Sequence, residues 1–248
     1  MTRYFIEVSY KGTSYSGFQR QENAHTVQAE LEQALATIFR TPFLLTGSSR
    51  TDAGVHARQN YFHFDTDQPL HQKAVYNLNA LLPNDLAVNG LYRMPETAHS
   101  RFDALSREYR YYIYTHKSPF LCDRAYFYPY VLNMESLRAA ADMLKQYRDF
   151  TSFSKRNTQV KTFMCSLQES EWVETEAGIH YYVKGNRFLR GMVRALTGTM
   201  LRVGRGRMSI DEFRAVIEAK DCTRADFAVP AHGLFLERVN YPEGYFGA

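Results

Sequence analysis

Gln59-Asn60-Tyr61-Phe62-His63-Phe64-Asp65-Thr66 alternates along its length, with Asn60, Phe62 and Phe64 on one face and Tyr61, His63 and Asp65 on the other. That period of two marks a β-strand. Working back from it, Phe43 to Thr46 reads as a short strand and Thr26 as the cap of a helix. Val27, Leu31, Ala34, Leu35 and Ile38 carry that helix's apolar stripe, and Pro42 ends it. Tyr4 to Tyr10 alternates as an N-terminal strand, and Lys11-Gly12-Thr13-Ser14-Tyr15-Ser16-Gly17 is a turn-forming loop. Working forward, a helix runs from about Gln72 to Leu82, stops at Pro83-Asn84-Asp85, and gives way to a strand over Leu86 to Tyr92. The order strand, helix, strand, strand, helix, strand is the split βαβ, ferredoxin-like arrangement.

The second half repeats this theme loosely. Glu108 to His116 is an alternating, aromatic strand. Leu137, Ala140, Ala141 and Leu144 mark a helix with Asn133 as its cap. Cys165 to Glu174 and Ile179 to Lys184 form a hairpin turning at Glu176-Ala177-Gly178. Ser209-Ile210-Asp211-Glu212 is a capping box that opens a short helix, and Leu234 to Tyr241 is a final strand. The expected fold is therefore α+β: two ferredoxin-like (split βαβ) subdomains with mixed or antiparallel sheets, packed around a central basic cleft. The first would span residues 1–103 and the second residues 104–248.

Composition narrows the class of function. At 248 residues, with 45% hydrophobic and 23% charged residues, the chain reads as an ordinary soluble globular protein. Its three cysteines (Cys122, Cys165 and Cys222) make neither a disulfide framework nor a Cys-x-x-Cys site. No His-x-x-x-His or His-Glu-x-x-His pattern occurs, so no metal is expected. The N-terminus reads as a strand, not a signal peptide, and no apolar run approaches bilayer length, which points to a cytoplasmic protein without a membrane partner. The net charge of +4 permits a polyanionic partner. Arg187, Arg190, Arg194, Arg202, Arg205 and Arg207 fall in one stretch free of Asp and Glu. From about Leu189 to Val203, Leu189, Met192, Val193, Leu196 and Met200 share one helical arc, with Arg187, Arg190 and Arg194 opposite. Two readings stand: a solvated face, or a basic face that meets phosphate or a carboxylate.

Between the second and third strands lies Ser49-Arg50-Thr51-Asp52-Ala53-Gly54-Val55-His56-Ala57. Asp52 has an arginine two residues before it and a glycine two residues after it, so it reads as a nucleophile or base with a positive partner. The same residues also suit a tight turn with a surface ion pair.

Arg50 to Ala57 resembles the signature loop of the tRNA pseudouridine synthase A (TruA) family. The resemblance extends over essentially the whole chain. Tyr10 to Gln21 is similar to the family's N-terminal loop, with Phe18 in place of the frequent Trp. Asn77 to Pro83, Arg101 to Ala104, Arg107 to Tyr111, Asp149 to Phe153, Met192 to Arg194 and Gly233 to Leu236 also fit. The resemblance implies an isomerase that converts uridine to pseudouridine at positions 38, 39 and 40 of the tRNA anticodon arm, with no cofactor, as a homodimer.

Carried over by resemblance, Asp52 is the catalytic carboxylate and Arg194 the arginine that pairs with it. Tyr109 lies against the target uracil, and Arg50 fills the gap left by the flipped nucleotide. Arg187, Arg190 and Arg205 bind backbone phosphate. Ser49 stands where the family usually has Gly, a departure that bears on loop geometry and uridine choice. The competing classes are a non-catalytic RNA-binding module, whose RNP strand signature is absent, and a hydrolase using Asp52 with His56.

Overall fold

The computed structural model describes residues 1–71, 73–156 and 160–247. They form two compact units, Met1–Leu105 with Leu236–Ala248, and Ser106–Phe235.

The first unit contains β1 (Thr2–Tyr10), α1 (Val27–Phe39), β2 (Thr46–Gly47), β3 (His56–Thr66), α2 (Lys73–Leu81) and β4 (Leu86–Met94). Its strands run in the order β4-β1-β3, with β2 on the side of β3 away from β1, and every pairing among these four is antiparallel. That is the split βαβ order. Ile6 faces Phe62 across β1 and β3, and both are fully buried, so the central strands carry the core. Because β3 is covered on both faces in mid-strand, Asn60, Tyr61, Phe62, His63 and Phe64 are all buried despite their alternation. Thr26 starts α1 by accepting the Ala29 N–H at 3.3 Å. The helix ends before Pro42, because Arg40 enters the left-handed region at φ 55°. The strand expected over Phe43 to Thr46 shrinks to Thr46–Gly47, since the Leu45 N–H goes to the Glu32 carboxylate (3.1 Å) instead of a neighbouring strand. The start expected for α2 at Gln72 lies outside the described residues.

The C-terminal segment completes this unit. Phe246 stacks on Tyr61 at 5.1 Å, and the Tyr241 hydroxyl donates to the Ser100 carbonyl. The Val239 N–H is held by Gln59 of β3 at 3.2 Å.

The second unit contains β5 (Ser106–Tyr114), β6 (Tyr126–Phe127), α3 (Met134–Leu144), β7 (Leu167–Thr175), β8 (Gly178–Gly185), α4 (Met192–Gly204) and α5 (Ile210–Glu218). The last strand, β9 (Leu234–Asn240), begins here and continues into residues of the first unit. β5, β8 and β7 are antiparallel neighbours, and β6 adds to β5 in parallel, so the sheet is mixed. Asn133 caps α3 by accepting the Ser136 N–H at 2.9 Å. Ser209 and Glu212 form the reciprocal capping box on α5. Among the described residues, no helix is long and apolar enough to cross a membrane.

Candidate active site

In the first unit, Asp52 lies in the turn that joins β2 to β3, half-buried, with its carbonyl accepting the Val55 N–H at 3.1 Å. Gly54 closes the turn at φ 78°, a conformation that glycine adopts without cost. What fixes this turn is a second loop, Gly12 to Arg20, laid against it. The Gly12 N–H donates to Nδ1 of the fully buried His56 at 3.0 Å, and the Phe18 N–H donates to the Thr51 carbonyl at 3.1 Å. A Cβ on Gly12 would stand 2.0 Å from the Val55 carbonyl oxygen, so no other residue permits this approach.

Beneath the turn lies a buried polar network. The Tyr10 hydroxyl pairs with Thr51 Oγ1 at 2.8 Å and accepts from Asn60 Nδ2 at 3.2 Å. Asn60 Nδ2 also donates to the Ser49 carbonyl at 2.8 Å, and Asn60 Oδ1 accepts the Tyr61 N–H at 2.9 Å. Asn60 is entirely buried with both ends of its amide satisfied, which rigidifies the residues on the N-terminal side of Asp52. The second loop is tethered in turn by Arg20, whose Nη1 donates to the buried Glu32 at 2.6 Å. Phe18 fills the place of the expected Trp by stacking on Phe62 at 4.3 Å.

Ser49 costs the backbone nothing here. Among the described residues only Asn23, Arg40 and Lys220 adopt positive φ without being glycine, so position 49 has no conformational need for Gly. Arg50 is exposed beside it.

In the second unit, Tyr109 sits on β5 opposite Val183 of β8, buried, with its ring edge-on to Phe188 at 5.0 Å. Arg107, also buried, donates from Nη1 to the Asn186 carbonyl at 3.0 Å, tying β5 to the segment before α4. The helix expected from about Leu189 starts at Met192, because Gly191 at φ 74° breaks the chain direction. Arg187 and Arg190 therefore precede it, and there is no basic helical face formed by Arg187, Arg190 and Arg194. The helix is buried on nearly every side. Arg194 belongs to it and turns onto a downstream segment. Its Nε and Nη2 both donate to the Val229 carbonyl, at 2.9 and 2.7 Å, and Nη2 also reaches the Phe227 carbonyl at 3.5 Å. Arg205 lies over the Tyr130 ring at 3.7 Å, a cation–π contact. The remaining candidates are Arg187, half-buried, and Arg190, exposed.

Asp52 stands out in the sequence as a candidate, whereas the residues that support its turn, Tyr10, Asn60 and the Gly12 N–H, do not. A polar Asn at an inward position of β3 was the available signal. Among the described residues, no cluster of His, Cys, Asp and Glu is arranged to hold a metal ion.

The family model described as tRNA pseudouridine synthase matches residues 6–103 and 140–242. The chain is 47% identical over 248 residues to a tRNA pseudouridine synthase A of Parabacteroides distasonis, covering 99% of this chain and 98% of that one. It is 43% identical to the enzyme of that name from Porphyromonas gingivalis, covering 99% and 100%. With the Bacillus subtilis protein of that name it shares 41% identity, covering 94% and 97%.

Proposed function

This chain belongs to the tRNA pseudouridine synthase family, and from that premise we propose that it isomerises uridine to pseudouridine at positions 38, 39 and 40 in the anticodon arm of tRNA. The reaction breaks the bond between uracil N1 and ribose C1′ and forms one between C5 and C1′. The C5 hydrogen leaves to solvent and N1 takes up a proton, so no oxidant or reductant is consumed. The observation that carries this reading is the full-length similarity, joined to a signature loop whose Asp52 is held on both sides.

In this reading Asp52 is the carboxylate that attacks the substrate, and Arg194 is the arginine that pairs with it. The forked contacts to Val229 use Nε and Nη2 of Arg194, which leaves Nη1 for a carboxylate. Tyr109 stacks against the target base, and Arg50 stacks in the space that the flipped nucleotide leaves. Arg187, Arg190 and Arg205 meet backbone phosphate, which positions the RNA without reading its sequence. The enzyme works in the cytoplasm as a homodimer.

An unmodified tRNA transcript tests the assignment. After incubation with the protein, carbodiimide labelling and reverse transcription should give stops at positions 38, 39 or 40 where those are uridine. Stops elsewhere alone would contradict the anticodon-arm assignment.

A further inference from the structure

The end of α4, the start of α5 and the 3-10 turn Cys222–Arg224 enclose a groove of about 350 Å³ in the second unit, remote in sequence from the Asp52 loop. Arg202 from α4, Arg207 from the turn after it and Arg224 from the 3-10 turn line it together with Thr223 and Glu212. The turn between the helices sets the first two side by side: Gly206 takes φ 66°, and the Arg207 N–H returns to the Arg202 carbonyl at 2.9 Å. A second hollow adjoins the first and shares Arg207, Met208 and Glu212 with it, so the feature is continuous.

The question is what these guanidiniums are for. Arginines at a helix C-terminus commonly satisfy its last carbonyls. Here main-chain groups already do so. The carbonyls of Leu201, Arg202, Val203 and Gly204 accept from the N–H groups of Arg205, Arg207, Gly206 and Asn133 respectively, at 2.8–3.1 Å. Ion pairing is the other ordinary use. Yet among the described residues no side-chain hydrogen bond or ion pair within 4 Å engages Arg202, Arg207 or Arg224. The two nearby carboxylates are hydrogen-bonded locally and feel arginine charge at longer range, Glu212 that of Arg202 and Asp221 that of Arg156 and Arg224. Glu212 accepts the Ser209 N–H at 2.7 Å in the capping box, and Asp221 accepts from the Thr223 N–H and hydroxyl at 2.9 and 2.8 Å. Arg156 comes within 3.9 Å of Asp221 and offsets its charge further.

Three arginines lining one groove offer the donors of a phosphodiester site, since each planar fork suits two phosphate oxygens. We infer that this groove grips the sugar–phosphate backbone of tRNA as a second contact, beyond the residues assigned to the uridine site. The inference rests on tRNA being the substrate, as proposed above.

Salt dependence reads such contacts directly, because each neutralised phosphate releases counterions. Binding of a labelled tRNA transcript is measured between 50 and 400 mM KCl for the wild type and for three single variants, Arg202→Gln, Arg207→Gln and Arg224→Gln. The variant carrying all three changes is measured alongside, with Arg214→Gln, an exposed α5 position outside the groove, as the control. Each single change should lower the slope of log K against log salt by about one, and the triple change by about two to three. The triple variant should also bind at least tenfold more weakly at 0.1 M salt. Single-variant slopes equal to that of Arg214→Gln would overturn the inference, whether or not the triple variant folds. Because binding is read without turnover, the two claims fail separately. Reduced slopes in a protein that makes no pseudouridine would sink the function and leave the groove. Pseudouridine formation with unchanged slopes would do the reverse.

Discussion

Gly12 and His56 are locked together: the Gly12 N–H meets Nδ1 of a histidine with no solvent exposure, 3.0 Å away and 44 residues later in the chain. That contact requires an unprotonated Nδ1 and a residue without a Cβ at position 12. It joins the loop before α1 to the strand that begins just after Asp52.

The first prediction is that His56→Asn, which keeps an acceptor near Nδ1, retains most of the turnover, whereas His56→Leu does not. The Leu variant leaves the Gly12 N–H buried without a partner, at a cost of about 1–3 kcal/mol in stability. It also frees the Asp52 turn, where a misplacement of about 1 Å is enough to lower kcat about a hundredfold. Steady-state kinetics and chemical denaturation on both variants check this. Equal kcat for Asn and Leu would show that the contact does not position the loop.

Arg194 gives a second expectation. Its Nε and Nη2 converge on one carbonyl, Val229, and a lysine has a single nitrogen to offer. Arg194→Lys should lose about 1–2 kcal/mol of stability and at least a hundredfold in kcat, while tRNA affinity changes less than threefold. Retained kcat would remove Arg194 from the chemistry and leave it as a structural clamp on the Phe227–Val229 segment.

A third concerns acid. His63 pairs through Nδ1 with the Ser100 hydroxyl at 2.8 Å, and the same nitrogen accepts the Ser100 N–H at 3.3 Å. Burial, followed by the neighbouring His99 and Arg3 charges, lowers its pKa from the ordinary 6.5 to about 4. The unfolded chain therefore binds a proton that the folded chain refuses between those values. The stability from neutral His63 is fully present above pH 6.5 and is lost as pH falls towards 4, by about 3 kcal/mol in all. His63→Asn should flatten that part of the stability–pH curve, as measured by urea denaturation at pH 4.5, 5.5 and 7. A variant with an unchanged slope would assign the acid sensitivity to other groups.

What could be read in the sequence was what local chemistry decides. Thr26, Asn133 and the Ser209–Glu212 box announce three helix starts, because each cap bonds within three residues. Alternation located β1, β3 and β5. The shortfalls come from partners distant in sequence. Leu45 is kept out of a strand by Glu32, 13 residues earlier. The arc of apolar residues after Leu189 suggested a helix with a basic face, but Arg194 is drawn to a carbonyl 35 residues onward and the helix is buried around it. Asp52 was legible as a motif. Its clamps, Gly12 on His56 and Asn60 on Ser49, were not, since a motif names neighbours in sequence and these contacts cross between loops.

The central claim is that Asp52 does the chemistry of a uridine isomerase, and tritium release tests it most directly. The substrate is tRNA labelled with tritium at uridine C5, treated with the wild type and with Asp52→Asn, the conservative change that keeps shape and removes charge. Wild-type protein should release tritium to water in step with pseudouridine formed. Asp52→Asn should bind the same tRNA and release it at less than about one-thousandth of that rate, a loss of about 4 kcal/mol in transition-state stabilisation. Tritium release at the wild-type rate from Asp52→Asn, or free uracil in place of pseudouridine, would contradict the account.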